Sequence, residues 1–390
     1  MTGVPDLIWH KPIKRSITES CFMKPIQNVL VLQGGGALGA YQGGTYEGLT
    51  RHGINIDWVV GTSIGAINGA LIAGNRPADR VEKLHAFWKR VARDSPTIFP
   101  FFSTAEWLRP WSNASRLWDT LSNGVPGFFT PRANSTWNIN KRGPSVQASF
   151  YDTSSLEATL NELVDFKYLN AGQVRLTVSA VNIATGELRK FDNTVEKITA
   201  KHIMASAALP PGFPPVEING ADYWDGGIYS NTPLDIVLDD QDRQNTLCFM
   251  VDLWDPSETV PASIAEAITR QKDIQYASRS KEHLEDHERM QNLRRAVQIL
   301  VEKLPVKERN SAATKQLVQL GCSSTINIVR LVMKALPSDD QNKDIDFATS
   351  TIETRWQAGL KDIDRAFRQK NWLKLPPSHV GMVVHELKQK

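Results

Sequence analysis

Twice in succession this chain runs a short apolar stretch into glycine and then into a helix. Val29 to Leu32 reads as a buried strand that ends at Gly34, Gly35 and Gly36, and Leu38 to His52 follows as a helix with Gly53 at its C-terminal cap. Ile56 to Val60 repeats the strand, Gly61-Thr62-Ser63-Ile64-Gly65 repeats the turn, and a helix from about Ile64 to Ala73 closes at Gly74. Pro77 to Arg93 predicts a third helix. Connections this short between strand and helix imply parallel strands with helices packed on them, a layered α/β domain.

The alternation then breaks. Ser95 to Ser145 holds nine large aromatics (Phe99, Phe101, Phe102, Trp107, Trp111, Trp118, Phe128, Phe129 and Trp137) without clean periodicity. Basic neighbours among them suit either contact with a membrane interface or, the stronger expectation, the wall or lid of a pocket. Order returns at Ser154, where Ser154-Ser-Leu-Glu157 fits a capping box. Strands are expected at Val174 to Ile183, Glu187 to Phe191 and Thr246 to Leu253, a helix at Val195 to Ala208, and a hairpin turn at Asn219-Gly220 before Tyr223-Trp224-Asp225.

These signals place an arm at residues 1–27, a catalytic domain at 28–255 with the aromatic insertion at 95–150, and a mainly helical extension at 256–390. In the extension, Ile264 to Leu304 reads as one helix ended by Pro305, Thr325 to Met333 as a strand and Ala348 to Phe367 as a last helix. Met290, Leu293, Val297, Leu300 and Leu304 alternate at spacings of three and four, a seam expected to pack on the catalytic domain, with homo-oligomeric pairing as the alternative.

Bulk composition narrows the class. A formal charge of +3 over 390 residues gives no nucleic-acid footprint, and Cys21, Cys248 and Cys322 are too scattered for a disulfide framework or structural zinc. No apolar stretch has the length of a signal h-region or a membrane span. The expectation is a cytoplasmic chain with peripheral membrane contact at most.

Two readings compete for the glycine loop. Gly34-Gly35-Gly36-Ala37-Leu38-Gly39 fits the dinucleotide fingerprint, and Asp57 lies 21 residues beyond Gly36. A ribose-binding acid belongs at the carboxyl end of the second strand, however, and Asp57 precedes that strand. Ser63 occupies the correct end. Gly61-Thr62-Ser63-Ile64-Gly65 fits a nucleophile elbow, so loop and serine share one edge of the sheet, and backbone amides of the loop suit an oxyanion hole, each donor contributing roughly 3–4 kcal/mol.

Asp225-Gly226-Gly227 supplies a carboxylate in a flexible turn. With the glycine loop, the elbow and this turn in that order, the sequence resembles the patatin-like phospholipases from about Val29 to Leu253. Ala205-Ser-Ala-Ala-Leu-Pro-Pro211 and Tyr229-Ser-Asn-Thr-Pro233 add to the likeness. The resemblance implies a three-layer α/β/α fold with a mostly parallel central sheet and a mainly helical C-terminal extension. It further implies a Ser63–Asp225 dyad, an oxyanion hole drawn from Gly34, Gly35, Gly36, Ala37, Leu38 and Gly39, lipid or acyl-ester substrates, and neither metal nor cofactor. Many relatives carry Arg or Lys where this chain has Leu38, so a lysophospholipid or neutral ester is expected as readily as an anionic diacyl lipid. The rivals are a Ser-Asp-His triad using His283 or His379, and a dinucleotide-binding module.

Overall fold

Alternate side chains of the first strand point into two different cores. The computed structural model describes residues 26–94, 117–132, 143–240, 242, 244–257, 260–336, 339–373 and 376–387. In β1 (Ile26–Leu32), Leu30 and Leu32 enter a core with Leu38, Ile64, Phe87 and Val251. Val29 and Val31 enter a second core with Trp58, Val60, Met250 and Leu284. A strand buried on both faces reads as an unbroken apolar run, which is how Val29 to Leu32 is written.

The neighbours of β1 are β2 (Trp58–Gly61) and β9 (Asn245–Asp252), both parallel to it. A small antiparallel pair, β3 (Thr130–Pro131) and β4 (Tyr151–Asp152), lies apart from them. The remaining strands are β5 (Arg175–Asn182), β6 (Leu188–Asp192), β7 (Val216–Ile218), β8 (Ala221–Asp225), β10 (Ile326–Val332) and β11 (Met382–Glu386). The main sheet runs β11-β10-β9-β1-β2-β5-β8-β7, with β6 also on β5. Pairs from β11 through to β5 are parallel, and β6, β7 and β8 add an antiparallel edge. Asn219 and Gly220 both take positive φ, 52° and 81°, at the expected β7–β8 hairpin turn.

Among the described helices, those that bear on the site and the shared core are α1 (Ala40–Arg51), α2 (Ile64–Ala73), α3 (Arg80–Val91), α4 (Ser154–Leu163), α5 (Ala200–Ser206), α6 (Ile264–Lys303) and α7 (Thr349–Gln369). The start of α4 differs from the expected capping box. Thr153 is its N-cap, and the Asp152 carboxylate accepts from the Ser154 N–H at 2.9 Å. Helix α5 is shorter than expected because its reciprocal cap is Thr199 with His202, which leaves 195–198 outside it.

The chain passes residue 255 without leaving this sheet. β10 and β11 continue it beyond β9, and Asp252 of β9 is paired with Arg330 of β10 at 2.7 Å, both buried. α7 lies against α1 at glycine notches. A Cβ on Gly44 would stand 1.9 Å from the Trp356 carbonyl, and one on Gly359 would stand 2.2 Å from the Tyr41 carbonyl. Trp356 Nε1 donates to Glu47 at 2.7 Å, and Tyr41 donates to Asp362 at 2.7 Å. Glycine is a poor helix former, so its repetition in α1 is understood through this close approach. The boundary placed near Asp255 therefore crosses one sheet and one core.

The apolar seam of α6 does not pack on the catalytic domain as expected. Met290, Leu293 and Leu300 are 48%, 60% and 64% exposed. The helix docks instead through the face carrying Leu284, Gln291 and Val301, rotated from the seam, and no side chain can serve both faces. In the aromatic insertion, Phe128 and Phe129 are buried among Phe87, Tyr151, Phe213 and Phe347, whereas Trp118 is exposed. Phe99, Phe101, Phe102, Trp107, Trp111 and Trp137 lie outside the described residues, as do Cys21 and most of the 1–27 arm. No described helix is long and apolar enough to cross a membrane.

A chain truncated after residue 255 loses β10, β11 and α7, so it is expected to fail to fold. Far-UV circular dichroism and urea titration check this. A soluble 26–255 fragment with a cooperative transition would show that the second half is dispensable.

Candidate active site

β2 delivers Gly61 to the carboxyl edge of the sheet, and α2 starts three residues later. Ser63 bridges them at φ 56°, ψ −124°, a conformation that costs a non-glycine residue about 1–3 kcal/mol. The turn closes only because its flanks lack side chains. A Cβ on Gly61 would stand 2.3 Å from the Gly65 carbonyl, and one on Gly65 would stand 2.2 Å from the Leu32 carbonyl. Thr62 is fixed by a hydroxyl contact with Ser179 at 2.9 Å, and Ile64 packs where a Cβ of Gly39 would be. The Ser63 N–H donates to both the carbonyl and the hydroxyl of Ser206, each at 3.1 Å.

Asp225 ends β8, and its N–H donates to the Ala208 carbonyl at 3.0 Å. The stretch 206–208 thus holds both Ser63 and Asp225 by their backbones. The Asp225 carboxylate accepts from the Gly227 N–H at 2.7 Å, and the Ser63 side chain acts on it in favour of its charged form. Gly226 must be glycine, since its Cβ would stand 2.4 Å from the Ser179 carbonyl. Burial pushes the Asp225 carboxyl up to about 7, and the contacts with Ser63 and Gly227 pull against that rise. A carboxyl poised there can accept and return a proton near neutrality.

The glycine loop lies alongside. Gly34 donates its N–H to the Asn231 carbonyl at 3.1 Å, while its own carbonyl accepts from Asn231 Nδ2 at 3.1 Å and Trp254 Nε1 at 2.9 Å. The Leu38 N–H closes a tight turn onto the Gly35 carbonyl at 3.1 Å, and Gly39 caps α1. Gly34 and Leu38 are therefore occupied inside the fold and leave the expected donor set. The N–H groups of Gly35, Gly36 and Ala37 pair with no described residue. Gly36 takes φ 54°, and the Asp344 carbonyl stands 2.2 Å from where its Cβ would be. Sequence reasoning assigned no role to Ser206, Asn231 or Trp254. Their only signal was membership of Ala205–Pro211, of Tyr229–Pro233 and of the end of an apolar strand.

No described histidine reaches the pair. His202 caps α5 through its Nδ1, His287 binds Asp235 at 2.9 Å, His385 meets Asn327, and His379 sits in an exposed turn. The His283 side chain lies outside the described residues. Asp57 accepts from the Asn28 N–H at 2.8 Å, at the sheet edge away from Ser63. No group of His, Cys, Asp and Glu side chains suited to a metal ion occurs among the described residues. A cavity of about 210 Å³ adjoins Gly227 and Asn231, and Leu209, Ile228 and Tyr229 stand exposed at its rim.

A family model described as patatin-like phospholipase matches residues 30–238, and a second, described as patatin phospholipase, matches residues 274–379. The lysophospholipase nte1 of Aspergillus terreus is 34% identical over 128 residues, which make up 31% of this chain and 8% of that protein. The Candida glabrata lysophospholipase is 25% identical over 244 residues, 61% of this chain and 11% of its own length. The chain thus spans about a tenth of the curated relatives it matches. Among solved structures, VipD of Legionella pneumophila aligns at a TM-score of 0.34 and 14% identity, over 89% of this chain and 72% of that one. Human GIVD cytosolic phospholipase A2 aligns at 0.33 and 11%, over 57% and 42%.

The raised Asp225 carboxyl has a cost in stability. Between its ordinary pKa of 3.8 and about 7 the folded chain binds a proton that the unfolded chain has lost, so this group's contribution falls as pH rises through that window. Asp225→Asn removes the dependence. Its unfolding free energy relative to wild type is expected to grow by a few kcal/mol from pH 4 to pH 8. A difference that stays flat across that range in urea titrations contradicts the burial argument.

Proposed function

The chain belongs to the patatin-like phospholipases, and from that membership we propose that it hydrolyses the acyl ester of a lipid through Ser63 and Asp225. The observation that carries the reading is a buried carboxyl, raised to about 7 by burial, on which the serine of a strained strand–helix turn acts. In the first half-reaction Asp225 takes the Ser63 proton as the oxygen attacks the ester carbonyl. The amides of Gly35, Gly36 and Ala37 stabilise the oxyanion, and the protonated Asp225 returns its proton to the departing alcohol. Water then enters and gives a proton to Asp225 as its oxygen attacks the acyl carbonyl, and Asp225 passes that proton to the departing Ser63 oxygen, which releases the acid and restores the ionised carboxylate and the serine hydroxyl. Raising the carboxyl by burial is what makes an aspartate an adequate base for a serine hydroxyl. The exposed Leu209, Ile228 and Tyr229 beside the cavity suit peripheral contact with a lipid surface.

A fluorophosphonate probe is expected to label Ser63, and Ser63→Ala is expected to lose labelling and turnover with its fold intact. Asp225→Asn is expected to lower kcat by about 10²–10⁴. As the base must be ionised, kcat/KM should rise about tenfold per pH unit below 7 and level off above it. Full turnover by Asp225→Asn, or a single histidine-to-alanine variant falling a thousandfold, would falsify the two-residue mechanism.

A further inference from the structure

The glycine loop, the serine turn and the Asp-Gly-Gly turn meet around one side chain that has no part in the steps above. Asn231 is tied to Gly34 twice. Its carbonyl accepts from the Gly34 N–H at 3.1 Å, and its Nδ2 donates to the Gly34 carbonyl at 3.1 Å. A carbonyl only accepts, so it is the nitrogen of the Asn231 amide that faces it, and Oδ1 is turned elsewhere. The direction of Oδ1 is thereby fixed. This oxygen accepts from no described residue.

Two glycines define what lies beside it. A Cβ on Gly34 would stand 2.3 Å from Asn231 Oδ1 and 3.1 Å from Ser63 Cβ. A Cβ on Gly227 would stand 2.9 Å from Asn231 Oδ1 and 3.1 Å from Asp225 Oδ1. One missing atom thus separates Asn231 Oδ1 from the serine, and another separates it from the carboxylate. Because residue 227 is glycine, no side chain of its own fills the gap between the two oxygens. Gly227 and Asn231 both line the 210 Å³ cavity, which gives water a way in from that side. Two acceptor oxygens bordering one gap suit a molecule that donates twice.

Water donates twice and an alcohol does so only once. When water attacks the acyl-Ser63 ester, one of its protons passes to Asp225, and the other stays on the new C–O oxygen, where it can be donated to Asn231 Oδ1. When an alcohol attacks, Asp225 takes its single hydroxyl proton and nothing is left for Asn231. In either case the Ser63 oxygen departs with the proton held by Asp225, and the product is an acid from water or an ester from the alcohol. Resting on the hydrolase reading, we infer that Asn231 is a catalytic residue of the second half-reaction. Its Oδ1 accepts a hydrogen bond from the attacking water and so favours hydrolysis of the acyl-enzyme over acyl transfer to an alcohol.

The test supplies p-nitrophenyl octanoate in buffered water with methanol and reads the ratio of methyl octanoate to octanoic acid by gas chromatography, with Ser63→Ala as the blank. Both products arise from one acyl-enzyme, so losses of folded protein or of oxyanion stabilisation cancel from the ratio. Asn231→Ala is expected to raise it about threefold to tenfold, the worth of one hydrogen bond. Trp254→Phe removes the other side-chain donor to the Gly34 carbonyl. It is expected to slow turnover but to leave the ratio within about twofold of wild type. Asn231→Ser, whose shorter side chain does not reach the gap, repeats the test if Asn231→Ala does not fold. An unchanged ratio in these Asn231 variants, or an equal rise in Trp254→Phe, makes Asn231 merely a support of Gly34 and overturns the assignment. A wild-type chain that forms neither product above the blank is a different result: it overturns the hydrolase reading, and this assignment with it.

Discussion

The contact between Gly65 and the carbonyl of Leu32 organises this site. It lets the first turn of α2 press against the end of β1, closer than any side chain permits. Two residues beyond Leu32 the glycine loop begins, and two residues before Gly65 stands Ser63. One backbone contact therefore sets the distance between a candidate nucleophile and the amides beside it. Gly61 repeats the constraint on the other flank of the turn, so the left-handed φ of Ser63 cannot relax without lifting α2 from the sheet. The surrounding fold is rigid enough to hold that strain because β1 is buried on both faces.

Asp225 is placed by a different balance. Its burial opposes ionisation, and only two hydrogen bonds, from Ser63 and Gly227, favour the charged form. A third or fourth donor would have drawn the carboxyl back towards its ordinary range. A cation beside it would have done the same. Lys272 and Lys343 are matched by Asp344 and Asp273, and Arg330 is matched by Asp252. No Lys or Arg is among the groups that act on the Asp225 carboxyl.

What was legible in the sequence was what is local along the chain. Gly61, Ser63 and Gly65 lie within five residues, and the turn they make is dictated by sterics that a pentapeptide already carries. β1 and β9 read correctly for the same reason, since both are written as apolar runs, whereas β11 was not expected as a strand. Contacts between distant segments were not legible. Ser206 meets Ser63 across 143 residues, and Asn231 meets Gly34 across 197. Each looks like an ordinary polar residue in a loop until the sheet brings the pair together. The α6 seam misled because a spacing of three and four marks an apolar stripe without saying which face docks. Likewise, β10 reads as a strand but carries no mark of the sheet it joins, and so the domain boundary was drawn through a shared core.

The second half of the chain bears on the first at the point where precision matters most. In the proposed mechanism the amides of Gly35, Gly36 and Ala37, which pair with no described residue, are useful only if they stay aimed at one place, because donors that must reorganise give back much of their electrostatic advantage. The loop that carries them has three glycines and little intrinsic stiffness. Asn231 and Trp254 hold its first residue, and the Asp344 carbonyl stands over Gly36. Asp344 is itself held by Lys272 of α6. Stiffness that the loop cannot generate from its own residues is therefore supplied by helices and turns beyond residue 255. It follows that stability and site geometry are coupled here: a substitution that loosens α6 or the 340–345 turn acts on the loop before it acts on the fold as a whole.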